Sequence, residues 1–196
     1  MNNINIYHPL VDYRREEFVT SEYGFRGNGF HNGHDIASPK GTDINAVCEG
    51  RIVKIENDSD GYGKYIVIEH DGFCTLYAHL SSVTVTKGAW VNSRDVIGKV
   101  GSTGSTSTGN HLHFEIRLGF YESSNFFDKD ETGKFKNSID PEMFFPPKWK
   151  EDVMIKAYDL NLIGTFNHKP TQKVDFGVFL AIIIRVIENL KINFER

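Results

Sequence analysis

Two histidines stand two residues apart in the run Gly109-Asn110-His111-Leu112-His113-Phe114-Glu115-Ile116. If the run is a strand, alternation puts His111, His113, Glu115 and Arg117 on one face. Leu112, Phe114 and Ile116 take the other, so one face reads as core and the other as polar. Two imidazoles side by side on a stiff backbone suit one metal ion or one reacting group. A plain pair of surface histidines would read the same way, because zinc needs further ligands that this run does not contain.

Those ligands have candidates upstream. In Phe25-Arg26-Gly27-Asn28-Gly29-Phe30-His31-Asn32-Gly33-His34-Asp35-Ile36-Ala37 the glycines bend the chain into a loop that carries His31 and, four residues on, Asp35. On a loop running into a strand these two can converge on one point, and His34 then faces away as a spare histidine. A fifth residue, His79, ends the alternating run 73–79. With Cys74, Leu76, Ala78 and Leu80 on one face, His79 falls on the other, where His111 and His113 could also point. Two histidines and one carboxylate would leave a tetrahedral zinc with one open position, the arrangement of a catalytic site, and the two remaining histidines would be free for proton transfer.

The elements that must position these residues read as strands. Alternating runs cover 45–48, 50–57, 64–70 and 73–79, with short ones near Trp90-Val91 and 96–100, and Asp71-Gly72 is a two-residue hairpin signal. The hydroxyl-rich run 101–109 delivers the central strand and reads as a solvated turn or a substrate contact. The loop 119–138 contains Asp128-Lys129-Asp130-Glu131-Thr132-Gly133, which begins like a calcium loop. Its twelfth position is Ile139 rather than Glu, so it reads as a charged surface loop. Pro146-Pro147 marks a boundary. Beyond it, periodic apolar residues over 151–163 and from Phe176 to Leu190 predict a small C-terminal α-helical hairpin. The plan is a mainly β domain over 1–147, with its core at about 23–145, and a helical hairpin over 148–196 whose apolar stripe packs on the first domain, on a second copy as a homo-oligomer, or on a partner.

Composition sets the outer limits. Of 196 residues, 22 are Lys or Arg and 26 Asp or Glu, a formal charge of -4 that gives no broad basic surface for nucleic acid. Eighteen glycines and fifteen phenylalanines suit a β-rich fold with tight turns. The two cysteines, Cys48 and Cys74, have no zinc-thiolate spacing and read as core residues. The start lacks the basic segment and apolar run of a secretory signal, and no run is long enough to cross a membrane. The expectation is therefore synthesis in the cytoplasm without membrane insertion.

Across about 23–145 the chain resembles the lysostaphin-type zinc endopeptidases that cleave peptidoglycan. The resemblance lies in Phe25-Arg26, His31-Asn32-Gly33-His34-Asp35-Ile36-Ala37, Tyr77-Ala78-His79-Leu80 and Thr108-Gly109-Asn110-His111-Leu112-His113-Phe114-Glu115, and in the spacing between these blocks. It implies an antiparallel β-sandwich or groove domain (the duplicated hybrid motif). It also implies one zinc held by His31, Asp35 and His113, with His79 and His111 assisting the attacking water and the transition state. One departure is Arg94, where the family usually has a turn glycine. The function implied is a zinc metalloendopeptidase cutting peptide stems or cross-bridges of peptidoglycan. Without an export signal it reads as a phage or prophage endolysin, reaching the wall after holin-mediated release with the hairpin over 148–196 as a wall-binding or oligomerisation module, or as a virion-associated tail lysin. A non-catalytic wall-binding or activator module and a phosphocarrier are the competing classes, and the complete metal set argues against both.

Overall fold

The computed structural model describes residues 6–10, 19–27, 29–123 and 126–144, all within one compact unit, Met1–Phe145. Runs of alternating β-branched and aromatic residues form short strands, as such side chains do on a pleated, half-buried surface. In chain order they are β1 (Val19–Ser21), β2 (Gly24–Arg26), β3 (Gly29–His31), β4 (His34–Ala37), β5 (Asp43–Asn45), β6 (Gly50–Asp58) and β7 (Gly63–Glu69). These are followed by β8 (Phe73–Ala78), β9 (Ser82–Val83), β10 (Trp90–Val91), β11 (Val96–Lys99), β12 (His111–Leu118) and β13 (Ser138–Ile139).

An antiparallel sheet runs in the order β1-β4-β12-β8-β7-β6-β10, with β13 also paired to β12. A three-stranded sheet, β5-β11-β9, and the hairpin β2-β3 complete the described strands. The core lies between the two larger sheets: Ile36, Ile52, Ile66, Ile68, Tyr77, Leu112, Phe114 and Ile116 of the large sheet meet Ile44 and Ile97 of the small one. The other face of the large sheet is closed by Tyr65, Val67, Cys74, Leu76 and Ala78 under Phe126. The hairpin expected at Asp71-Gly72 joins β7 to β8, with the His70 N–H donating to the Phe73 carbonyl at 2.8 Å. Both cysteines are free and buried.

One expectation is corrected and one is sharpened. The fold class was expected to include a C-terminal α-helical hairpin, but the described residues hold no α-helix, only the 3-10 turn Pro141–Met143. The fold is a mainly β, antiparallel sheet domain. The segment 148–196, on which the hairpin and its oligomer role were placed, lies outside the described residues. The face of β12 that reads as polar is also covered: Glu115 and Arg117 are both 0% exposed. Alternation correctly separates the two faces of a strand, yet it does not say which face meets water when both are covered.

Candidate metal centre

β12 is the axis of the site. It pairs with β4 so that His113 stands opposite Asp35 and His111 opposite Ala37, and cross-strand partners project to the same side. His31 ends β3 and is brought over β12 by the turn 31–34. That turn lies so close to β12 that a Cβ on Gly33 would sit 2.3 Å from the Phe114 carbonyl oxygen, which only glycine allows. The three donor atoms thereby converge. His31 Nε2 is 3.2 Å from Asp35 Oδ1 and 3.1 Å from His113 Nδ1, and His113 Nδ1 is 2.8 Å from Asp35 Oδ1.

The donor set fits a metal ion. His31 Nδ1 donates to the Glu22 carbonyl at 2.7 Å, and His113 Nε2 donates to Glu115 Oε1 at 2.9 Å. The nitrogens left facing each other therefore carry lone pairs, and a carboxylate oxygen completes the triangle. Three lone pairs this close repel unless a cation sits among them. Its edges are a little under the ~3.4 Å expected across a tetrahedron with bonds of about 2.1 Å. Electrostatics point the same way. Burial opposes charge on both groups, but contact with the His113 and His31 imidazoles, either of which can take up a proton facing it, holds the Asp35 carboxyl far below its usual range. Asp35 and Glu115 raise His113 to about 9. The cluster calls for a positive charge, which a metal or a proton can supply.

His111 lies at the mouth of the site. Its Nδ1 donates to the Gly109 carbonyl at 2.8 Å, leaving Nε2 3.7 Å from Asp35 Oδ1. His79 arrives by a route that alternation does not give. β8 pairs with β12 so that Ala78 is opposite His113 and Tyr77 opposite Phe114, so a continued strand would turn His79 toward the core side with Tyr77. Instead β8 stops at Ala78 and His79 takes φ +63°, a conformation that non-glycine residues hold only where the surroundings enforce it. The break swings its ring to 4.7 Å from that of His111 and 5.8 Å from that of His113. Its N–H donates to the Tyr62 carbonyl at 2.9 Å and its Nδ1 to the Thr103 carbonyl at 2.8 Å. Burial lowers its pKa to about 4, so it is neutral at neutral pH.

All five sequence-derived residues are thus brought together. His34 is not among them: it is turned away, with Nε2 3.1 Å from Asp140 Oδ1. The hydroxyl run proves to be a brace. Thr103 Oγ1 accepts from the Lys64 N–H and donates to the Leu80 carbonyl, and Ser105 and Thr106 hydroxyls donate to the carbonyls of Asp60 and Gly61. The calcium-like stretch is a closed turn, with Asp130 Oδ1 accepting from the backbone of Thr132 and Lys134 and from the Thr132 hydroxyl.

Several supporting residues escaped the sequence reading. Arg26 Nη2 donates to Asp35 Oδ2 at 3.1 Å, fixing the carboxylate plane. Glu115 bridges His113 to Arg117, whose Nε donates to Glu115 Oε2 at 2.7 Å, while the Tyr62 hydroxyl donates to Glu115 Oε1 at 2.5 Å. Burial opposes the charge of Glu115, but Arg117 and His113 bring its pKa down to about 2. A carboxylate two residues from a histidine on the same strand face was a readable sign of this support. Asn32, whose side-chain amide bonds Gly133, Phe135 and Ser138, gave no such sign, because these partners lie far away in sequence.

Residues 29–126 match the profile of Peptidase family M23. Among curated relatives, the DD-carboxypeptidase/endopeptidase Mpg of Neisseria meningitidis is 41% identical over 117 residues, 56% of this chain and 26% of that protein. The murein hydrolase activator NlpD of Escherichia coli is 42% identical over 112 residues, 56% of this chain and 29% of that protein. The chain thus matches less than a third of the length of either. Among solved structures, the catalytic domain of the prophage-encoded M23 protein EnpA from Enterococcus faecalis is similar. Its TM-score is 0.50 at 34% identity, covering 57% of this chain and 88% of that one.

Proposed function

Because the chain belongs to peptidase family M23 and keeps a complete donor triangle, we propose that it is a zinc-dependent endopeptidase that cuts peptide stems or cross-bridges of peptidoglycan. The observation that carries this reading is the convergence of His31 Nε2, Asp35 Oδ1 and His113 Nδ1, each aimed inward by a hydrogen bond or ion pair on its far side. An activator of other hydrolases is the second reading, because NlpD is as similar as Mpg. A non-catalytic module has no use for three donors, two of them buried, and two further imidazoles converging on one point, which favours the enzyme.

His31, Asp35 and His113 would hold the zinc. Bound there, it would supply Lewis acidity toward a peptide carbonyl and lower the pKa of the attacking water. Arg26 keeps the Asp35 carboxylate in plane, and Glu115 keeps His113 in the tautomer that offers Nδ1. His79 and His111 each have Nδ1–H committed to a carbonyl, so each presents a basic Nε2 to the site. We assign proton uptake and return to the leaving amine to His111, at the mouth. Orientation of the water is assigned to His79, whose burial disfavours protonation. The likeness to prophage-encoded EnpA supports a phage or prophage wall lysin acting at the bacterial wall.

The test combines metal analysis with mass spectrometry of fragments released from purified walls of differing cross-link chemistry. About one zinc per chain, cleavage lost on chelation, and recovery on adding zinc are expected. Full cleavage after verified metal removal would overturn the assignment, and stoichiometric zinc without release from any wall would favour the activator reading.

A further inference from the structure

The loop 126–138 is fastened to the rest of the domain by two buried polar anchors, one next in sequence to a proposed zinc ligand and the other linked to a second ligand through Glu115. The first is Asn32, the residue after His31. Its Oδ1 accepts from the Phe135 N–H at 2.7 Å and from the Ser138 hydroxyl at 3.1 Å, and its Nδ2 donates to the Gly133 carbonyl at 3.1 Å. The second is Arg117, which grips Glu115 and through it His113. Phe135 lies over its guanidinium at 3.7 Å, with Phe126 and Phe127 at 5.1 and 5.3 Å, and its Nη1 donates to the Phe126 carbonyl at 3.3 Å.

Neither anchor can move alone. The turn bearing Asn32 is jammed against β12 at Gly33, and Arg117 is fully buried in β12 itself. A shift of Phe135 therefore pulls on Asn32 and Arg117 together, and through them on His31 and His113. We infer that Asn32 and Arg117 are positioning residues that couple the loop 126–138 to the metal site, so that an ordered loop tightens metal binding and bound metal orders the loop. Reciprocity follows from linkage: whatever factor the loop adds to metal affinity, the metal adds to loop order. The inference rests on the proposed metal role of His31, Asp35 and His113.

The test uses the full chain, zinc alone as ligand, and no activity readout. In the wild-type protein, zinc should slow hydrogen exchange of the backbone amides at Phe135 and Lys136 at least tenfold relative to the chelated protein. Competition with a fluorescent chelator should show Asn32→Ala weakening zinc ten- to hundredfold, the range for lost outer-shell support. Phe135→Ala touches no ligand and lies wholly on the loop side, so a merely structural role predicts unchanged affinity; a fall of about tenfold is expected. Unaltered loop exchange on zinc addition, or Phe135→Ala binding zinc within twofold of wild type, would overturn the coupling. The wild-type exchange arm needs no variant to fold. A wild-type protein that binds no zinc would overturn the metal assignment itself, so the two failures are separately visible.

Discussion

In each of the four histidines of the site one ring nitrogen is committed outward, to Glu22, Thr103, Gly109 or Glu115, and the tautomer left behind decides what the other can do. This divides them by role. His31→Ala, Asp35→Ala and His113→Ala should each lose zinc and cleavage together. His79→Ala and His111→Ala should keep near-stoichiometric zinc while the rate falls on the order of a hundredfold, the scale of lost acid–base help. Metal analysis and rate on the same preparations check this, and loss of zinc from His111→Ala would reassign the ligands. A fifth histidine makes a different prediction. His70 is buried, with Nδ1 donating to the Glu49 carbonyl at 2.7 Å and Nε2 2.8 Å from Thr75 Oγ1, and burial lowers its pKa from 6.5 to about 4. Between those values the unfolded chain binds the proton and the folded one does not, so stability is full above pH 6.5 and is lost as pH falls toward 4. The loss from this group is about 3 kcal/mol. Urea melts of the metal-free protein at pH 7 and pH 4.5 should show the decline, and His70→Asn should reduce it by the His70 share, leaving the part that the likewise buried His79 contributes.

Position along the chain has to be corrected at the level of elements by loops that hold one another. His79 reaches the site only because the Thr103 carbonyl waits for it, and Thr103 is set by its contact with Gly63. There φ is +62° and a Cβ would lie 2.3 Å from the Thr103 carbonyl carbon. Gly63→Ala should therefore destabilise the domain by about 2 kcal/mol or more and lower the rate further than the stability loss explains, with zinc content unchanged. Denaturant melts beside metal analysis distinguish this from loss of the ligand set. Arg94 is the reverse case. It takes φ +72° where the resembled family usually has glycine, and its guanidinium lies 4.1 Å from the Tyr7 ring centroid. Arg94→Gly removes strain and stacking together, whereas Arg94→Ala removes only the stacking, so in denaturant melts the alanine variant should be less stable than the glycine variant by about 1 kcal/mol. Alternation made the long strands β6, β7, β8 and β12 and the Asp71-Gly72 hairpin legible, whereas the short β1, β2 and β3 carry too few residues to show a period; the convergence of His31, Asp35 and His113 was legible from spacing and resemblance. The facing of His79 was not, since a single left-handed residue reverses a face without any change of residue type.

At the scale of the molecule, the large sheet is covered on both sides, and this is what buries charge in its central strand. The sequence showed Glu115 and Arg117 as an ordinary polar stripe. Only the second layer of Tyr62, Phe126 and Phe135 over that face makes them an ion pair out of reach of water, and no local pattern announces a cover supplied from distant loops. The consequence is asymmetric. Two charges removed from water together are held by each other and by the hydrogen bonds from Tyr62 to Glu115 and from Arg117 to the Phe126 carbonyl, but either one alone is stranded. Arg117→Met should thus cost about 3 kcal/mol, the low end for a broken buried pair, because Glu115 keeps its bonds from His113 and Tyr62 but loses its fixed cation. Glu115→Gln strands Arg117 in the same way, though its amide keeps part of the hydrogen bonding. Combining the two replaces the pair by neutral groups of similar volume and should recover at least half of the Arg117→Met loss, a coupling well outside the additivity of distant sites. Urea denaturation of the four proteins in the cycle, all without metal, reads this directly. Strict additivity would mean that the pair does not act as a unit, and that the cover over β12 admits enough water to solvate each charge alone.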